Sequence, residues 1–245
     1  MSNSPIKPVP PGTPLSRQIL LDGVTVLVDK PATWTSFDVV NKIRATIRHR
    51  YQIRKIKVGH AGTLDPLATG LLIVCIGKHT KRIQELMGLD KTYEGRFMLG
   101  ATTPSYDSET EPDARYPIEH IDQELLDQTV AQFRGRISQK PPLYSAIKQD
   151  GKRLYRHARE GRKVEIKPRE VVIHDFRLTN INLPEIDFVV RCSKGTYIRS
   201  LAHDFGKALH SGAYLAALKR TAIGPYRLEQ AWQLPDLVAT MRVER

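Results

Sequence analysis

Cysteine, methionine and tryptophan are scarce in this chain, at two, four and two in 245 residues. Cys75 and Cys192 stand far apart, with no C-x-x-C pair and no His/Cys cluster at metal-ligand spacing. That argues against a disulfide framework or a zinc module and for reduced, buried thiols in a cytoplasmic protein. No apolar run approaches the length of a membrane span; the longest, Leu71 to Ile76, suits a buried strand. The amino terminus lacks an apolar signal core. Met1 to Arg17 carries five prolines instead and reads as a flexible or extended lead-in over 1–18, with ordered structure beginning near Ile19. G-x-x-x-x-G-K-[ST], G-x-G-x-x-G and G-x-S-x-G are all absent, which removes the usual nucleotide-cofactor and hydrolase readings. Negative charge is also in short supply. The balance of 38 Lys and Arg against 26 Asp and Glu gives +12 and a pI near 9.8, which points to a polyanionic partner, nucleic acid being the commonest.

What is present reads as one catalytic domain over 19–245 with intermixed strands and helices. Gly23 to Asp29 predicts a strand, followed by a helix over 37–48 capped by Thr35 or Ser36. Leu71 to Ile76 predicts a strand, and Lys81 to Met87 a helix. Lys91 to Leu99 alternates, setting Tyr93, Gly95, Phe97 and Leu99 on one face. A loop over 102–113 and a helix over 123–133 follow. Strands are expected at 170–180, 186–192 and 217–223, and helices at 197–209 and 235–241. Without regular β-α-β alternation the class is α+β, a central mixed, largely antiparallel sheet flanked by helices. A stretch from Lys140 to Arg169 holds ten Lys or Arg against three Asp or Glu. Interleaved with Tyr144, Tyr155 and His157, it suits backbone neutralisation plus base stacking, as a mobile basic arm closing over RNA.

Asp65 is the only carboxylate among the 46 residues from Val39 to Gln84, which carry ten Lys and Arg. Such a carboxylate is expected to stay ionised and to hold a basic partner, a profile for a nucleophile or base. The plainer reading makes it the N-cap of a short helix beginning at Pro66. Arg199, in the first turn of a helix after a Gly turn, opposes the helix dipole and makes sense if a carboxylate receives its guanidinium. His60, Asp65 and Asp107 match no strong metal motif, so no metal is expected.

The segments Asp29-Lys30-Pro31 with Thr35-Ser36, Gly59-His60-Ala61-Gly62-Thr63-Leu64-Asp65-Pro66 with Ala68-Thr69-Gly70, Lys91-Thr92-Tyr93 with Gly100 and Asp107, Pro141-Pro142 with Tyr144-Ser145-Ala146 and Lys148, and Gly195-Thr196-Tyr197-Ile198-Arg199 occur in this order. Together they resemble the TruB family of bacterial tRNA pseudouridine synthases. The resemblance implies a pseudouridine-synthase core that isomerises the T-loop uridine of tRNA, position 55. It makes Asp65 the catalytic aspartate, Tyr93 the aromatic packing on the uracil, and Arg199 the ion-pair partner of Asp65. His60, Tyr197, Lys30, Asp107, Lys148, Lys152, Arg153 and Arg156 become substrate-binding positions, and the 140–169 stretch the RNA-gripping insertion. It implies a monomer acting on the T-arm stem-loop with no cofactor. Whether Asp65 attacks C1′, deprotonates C2′ or adds at uracil C6 is left open, as is a non-catalytic RNA-binding role on the same scaffold. Thr33, Ser105 and Thr110 depart from the family pattern, which usually has Gly, Thr and Gly there. With the sequence read to Arg245, the expected form is one lacking the carboxy-terminal PUA domain that many relatives carry.

Overall fold

The computed structural model describes residues 6–145, 148–149 and 152–153 (these four as backbone), and 166–241. The chain divides into two compact units, Met1–Lys91 with Lys219–Arg245, and Thr92–Leu218. In chain order the first stretch contains α1 (Arg17–Asp22), β1 (Val24–Lys30), α2 (Ser36–Tyr51), β2 (Val58–His60), β3 (Thr69–Ile76), a 3-10 turn (Gly77–Arg82) and α3 (Ile83–Met87). The second unit holds β4 (Lys91–Leu99), β5 (Ala101–Thr102), β6 (Ala114–Arg115), α4 (Gln123–Gln132), β7 (Gly135–Gln139), β8 (Lys148–Gln149), β9 (Lys152–Arg153), β10 (Arg169–Asn182), β11 (Glu185–Cys192) and α5 (Ile198–Ala208). The chain then runs through β12 (Ala213–Ile223), whose last residues belong to the first unit, to β13 (Tyr226–Arg227), β14 (Trp232–Gln233) and α6 (Leu234–Thr240).

In the first unit β3 is the centre, because its run Gly-Leu-Leu-Ile-Val-Cys-Ile is buried at every position from Gly70 to Ile76. Such a run is stable only with both faces covered, and the pleat sends its alternate side chains into two different cores. Leu72, Val74 and Ile76 pack with Val24, Val26 and Val28 of β1 and with Val39, Val40, Ile43 and Ile47 of α2. Leu71, Ile73 and Cys75 pack on the other side with Leu27, Ala61, Leu86, Ile223 and Tyr226. β3 pairs antiparallel with β1 from Val24↔Ile76 to Lys30↔Gly70, antiparallel with β2, and parallel with Lys219–Arg220 of β12. β14 joins β1 in parallel. Thr35 is the N-cap of α2, in a reciprocal capping box with Asp38, which satisfies two end amides.

The proline-rich lead-in is extended, but ordered structure begins well before Ile19. Ile6 is buried at 5% exposure, its carbonyl accepts from the Tyr226 hydroxyl, and the Val9 carbonyl accepts from the Trp232 indole. Proline fixes φ and lowers the entropy lost on docking, so a Pro-rich strip can pack where a flexible one would not.

In the second unit the strand order is β12, β4, β11, β10, β7, with β10 antiparallel to both β11 and β7. Phe97, Phe176, Phe188 and Phe205 form its aromatic core; Phe97 stacks on Phe188 at 4.1 Å between ring centres, and Phe205 meets Phe176 edge-on at 5.6 Å. The alternation expected for β4 holds: Tyr93, Phe97 and Leu99 are buried and Glu94 is exposed. With mixed sheets and helices packed on them, the fold is α+β. No helix among the described residues is long and apolar enough to cross a membrane.

Candidate active site

Asp65 stands half-buried on the segment between β2 and β3. No helix begins at Pro66, so the N-cap reading is corrected. The segment makes a single turn closed by the Ala68 N–H on the Asp65 carbonyl at 3.1 Å, and the chain enters β3 at Thr69. Strand pairing wins over helix continuation because Gly70 lies against β12. A Cβ there would sit 2.4 Å from the Arg220 carbonyl oxygen, and its φ is +98°, a conformation natural to glycine.

Two buried cations and one hydroxyl hold this loop. Lys30, 0% exposed, donates from Nζ to the carbonyls of Pro31 at 2.9 Å, Trp34 at 2.6 Å and Pro66 at 3.2 Å. Arg220, 1% exposed, donates from Nε to the Leu71 carbonyl at 2.7 Å and from Nη2 to the Gly62 carbonyl at 3.0 Å. Its Nη1 reaches the Thr63 carbonyl at 3.5 Å. Ser36 Oγ accepts from the Leu64 amide at 2.8 Å and donates to the Leu64 carbonyl at 3.2 Å. The backbone is therefore pinned at residues 62, 63, 64 and 66, on both sides of Asp65. Burial lowers the Lys30 ammonium to about 8, with the Asp65 carboxylate opposing the shift and Arg220 adding to it. His60, at the end of β2, lies half-buried; burial first and the Arg220 guanidinium second hold its imidazole below the usual value.

The second unit gathers another set. Arg199, 4% exposed near the start of α5, donates from Nη1 to the Ser105 carbonyl at 3.1 Å and from Nη2 to the Tyr144 carbonyl at 2.8 Å. Its Nε lies 3.5 Å from Asp107 Oδ2. The other carboxylate oxygen of Asp107 accepts from Ser105 Oγ at 2.6 Å and from the Glu109 amide at 3.0 Å. Thr110 Oγ1 is 2.8 Å from Ser105 Oγ and accepts from the Ser105 amide at 3.2 Å. Because a carboxylate only accepts, the Ser105 hydrogen goes to Asp107, and Thr110 must donate to Ser105. Two departures from the family pattern thus touch each other and brace Asp107. Tyr197 is held at both backbone ends by Gln139, through its N–H at 2.8 Å and its carbonyl at 3.0 Å, and the Arg169 guanidinium lies 4.8 Å from its ring centre. Tyr93 is 8% exposed on β4.

Asp65, His60 and Lys30 therefore belong to the first unit, and Tyr93, Asp107, Tyr197 and Arg199 to the second. The side chains of Lys148, Lys152 and Arg153, and Tyr155, Arg156 and His157 entirely, lie outside the described residues. Sequence reasoning missed Arg220 and the loop-holding part of Ser36. The signal for Arg220 was there, since it shares strand parity with the buried Ala222 of β12. An arginine on a buried strand face demands acceptors. No group of three or more His, Cys, Asp or Glu among the described residues could hold a metal.

Thr33, the third departure, has φ +67°. A β-branched residue there is strained by roughly 1–2 kcal/mol. Thr33→Gly is expected to stabilise the protein by about 1 kcal/mol, read as a rise in the urea midpoint, whereas Thr33→Val should not.

Tyr106, the neighbour of Asp107, stacks on His203 of α5 with ring centres 4.0 Å apart and planes 14° off parallel. Beside His203, burial raises the Asp204 carboxyl to about 6, with Lys207 opposing. The folded state then holds a proton that the unfolded state has released between about pH 4 and 6, so ionising Asp204 costs stability as pH rises through that window. Asp204→Asn should gain about 1–2 kcal/mol at pH 7.5, a figure discounted for the group's partial exposure, and nothing near pH 4. Equal urea midpoint shifts at both pH values would contradict this.

Comparison with solved structures gives the class. The fold matches a chain of "Crystal Structure of a Cbf5-Nop10-Gar1 Complex" with TM-score 0.69 and 29% identity, over 97% of this chain and 60% of that one. It matches a chain of "Structure of H/ACA RNP bound to a substrate RNA containing 2'-deoxyuridine" with TM-score 0.66 and 26% identity, over 97% and 60%. The scaffold is that of a pseudouridine synthase. Residues 48–198 match the family model "TruB family pseudouridylate synthase (N terminal domain)", and residues 199–245 match "tRNA pseudouridylate synthase B C-terminal domain". The sequence is 58% identical over 212 residues to "tRNA pseudouridine synthase B" of Flavobacterium johnsoniae, covering 86% of this chain and 93% of that protein. A protein of the same name from Chlorobium chlorochromatii is 49% identical over 217 residues, covering 88% and 84%. The chain belongs to the TruB family of pseudouridylate synthases, which are isomerases.

Proposed function

We propose that this chain converts the T-loop uridine of tRNA, position 55, to pseudouridine, working in the cytoplasm as a single copy. The observation that carries the reading is the Asp65 loop, a half-buried carboxylate on a backbone pinned by Lys30, Ser36 and Arg220. Pseudouridine formation breaks the bond from C1′ to uracil N1, rotates the base and makes a bond from C1′ to C5. N1 gains a proton and C5 loses one, so the product is an isomer and no redox partner or energy source enters. Attack at C1′, deprotonation of C2′ and addition at C6 all need an anionic oxygen held in one direction. A pinned loop supplies that direction before the substrate arrives, which keeps reorganisation out of the chemical step.

A stacked uridine must first be extruded, at roughly a few kcal/mol. Stacking on Tyr93 returns about 1–3 kcal/mol of it. The parts of Tyr93, and of Arg199 as partner to Asp65, rest on family membership. Support for the Arg199 part comes from the two carbonyls and the buried Asp107 that fix its guanidinium. Support for a polyanionic substrate comes from a surface cleft of about 240 Å³ lined by Lys55, Lys57, Lys78 and Lys81.

The test is one incubation of a T-arm stem-loop transcript with the protein and EDTA, followed by nucleoside analysis and a sizing gel. Pseudouridine at the T-loop uridine with the strand intact is expected. Bound but unmodified RNA would leave only an RNA-binding scaffold, and cleavage suppressed by EDTA would indicate a metal-dependent nuclease.

A further inference from the structure

Phe37, in the first turn of α2, is the most exposed large apolar side chain among the described residues, at 58%. Exposed leucines are ordinary, but this phenylalanine is placed beside the candidate catalytic loop and next to a cation. Its neighbour Ser36 is bonded to Leu64, and Lys30 ties the Trp34 and Pro66 carbonyls to one ammonium. The short stretch 34–37 therefore runs alongside 64–67. On the loop side, Leu67 is 46% exposed. The Arg44 guanidinium lies 5.9 Å from the Phe37 ring centre and is held in place by the Asn41 side chain at 2.9 Å and the Val58 carbonyl at 3.0 Å. The nearest carboxylate in sequence, Asp38, is turned back onto the Thr35 amide at 2.9 Å and the Thr35 hydroxyl at 2.6 Å.

An open aromatic face with a fixed guanidinium at its margin is the pairing that holds single-stranded nucleic acid. Every base has a face to stack, and the cation favours the phosphate attached to it. The surroundings fit such an occupant and disfavour an acidic surface, since the 46 residues from Val39 to Gln84 contain ten Lys and Arg and a single carboxylate. We propose that Phe37 and Leu67 form a stacking platform for an unpaired nucleobase of the substrate RNA, adjoining the uridine delivered to Asp65, with Arg44 on its phosphate. This rests on the reading of the chain as an RNA isomerase and adds a second point at which it reads the loop of the RNA. Holding a neighbouring base keeps the strand splayed while the target nucleotide is out of its stack.

Phe37→Ala is expected to raise KM for the T-arm stem-loop about tenfold with kcat nearly unchanged, and Phe37→Trp to restore it, in line with the usual worth of one stacked base. A series of stem-loops, each lacking one loop base, locates the partner. One abasic position should weaken binding to the wild-type protein by the same factor and cost nothing further in Phe37→Ala. Kd titrations of the same variants read the platform independently of turnover. Unchanged KM and Kd in Phe37→Ala, or losses that add for every abasic position, would overturn the platform while leaving the isomerase reading intact. Failure of the wild-type protein to make pseudouridine would sink the isomerase reading instead, and with it the role assigned to the held base.

Discussion

Asp65→Asn should abolish pseudouridine formation, lowering the single-turnover rate by at least about 10⁴-fold, while tRNA affinity stays within about threefold. The substitution is nearly isosteric, and the turn it sits on is closed through backbone atoms, the Ala68 N–H on the residue-65 carbonyl. Neither that bond nor the Lys30, Ser36 and Arg220 contacts to residues 62, 63, 64 and 66 involve the carboxylate. The loop should keep its shape, so a loss of rate can be assigned to the lost anion. On the proposed function binding rests on cations elsewhere, and removing one negative charge from a basic surface tends to tighten contact with a polyanion. Rates from quenched single-turnover reactions and affinities from filter binding separate the two quantities. Residual turnover within a hundredfold of wild type would refute the role given to Asp65. Asp65→Glu probes position instead of charge: its extra methylene displaces the oxygen from the direction fixed by the pinned loop, so it too should be slow.

Much of the fold was legible because the elements obey simple periods. The uninterrupted apolar run of β3, the alternation of β4 and the apolar stripe of α2 are each visible in sequence, and each is buried as its period requires. The turn at Pro66 was misread because Asp-Pro is also good helix-start chemistry. Only the pairing of Thr69 and Gly70 with Lys219 and Arg220, some 150 residues on, forces the chain straight into a strand. The lead-in was misread for a related reason. Proline content speaks to stiffness, and what fixes Ile6 and Val9 is a tyrosine and a tryptophan near the far end of the chain. In the candidate site, motif positions name only the candidate residues, and which groups hold them in place is a matter of long-range hydrogen bonds that no local pattern encodes. Lys30 illustrates this, since its position was found but its three carbonyl partners were not.

Arg220→Met is expected to cost about 3 kcal/mol of stability and to lower kcat about a hundredfold. Methionine matches much of the arginine stem in length, so the cavity contribution should be small. The loss is polar: the carbonyls of Leu71 and Gly62 forfeit donors at 2.7 and 3.0 Å, and Thr63 loses a weaker one. Replacing a buried ion pair by apolar groups can be neutral when both partners are replaced. Here the acceptors are main-chain oxygens that no substitution removes: the buried Leu71 carbonyl stays unpaid at roughly 1–3 kcal/mol, and the part-buried Gly62 and Thr63 carbonyls add less. One term runs the other way. Arg220 disfavours the charged form of Lys30, so its removal relieves a like-charge contact and returns part of the loss. The rate should fall because residues 62 and 63 are released, so that the amino side of Asp65 is held by Ser36 on Leu64 alone while Pro66 stays tied to Lys30; a carboxylate on a more loosely anchored loop samples directions that do not reach the uridine. Arg220→Lys keeps the charge but can serve the three oxygens only from a single point, without the fork, so it should recover more of the stability than of the rate. Urea titrations give the first quantity. Single-turnover assays at a temperature where circular dichroism shows the variant folded give the second. A variant that loses stability and keeps its full rate would show that Arg220 holds the fold alone and leaves the direction of Asp65 to Lys30 and Ser36.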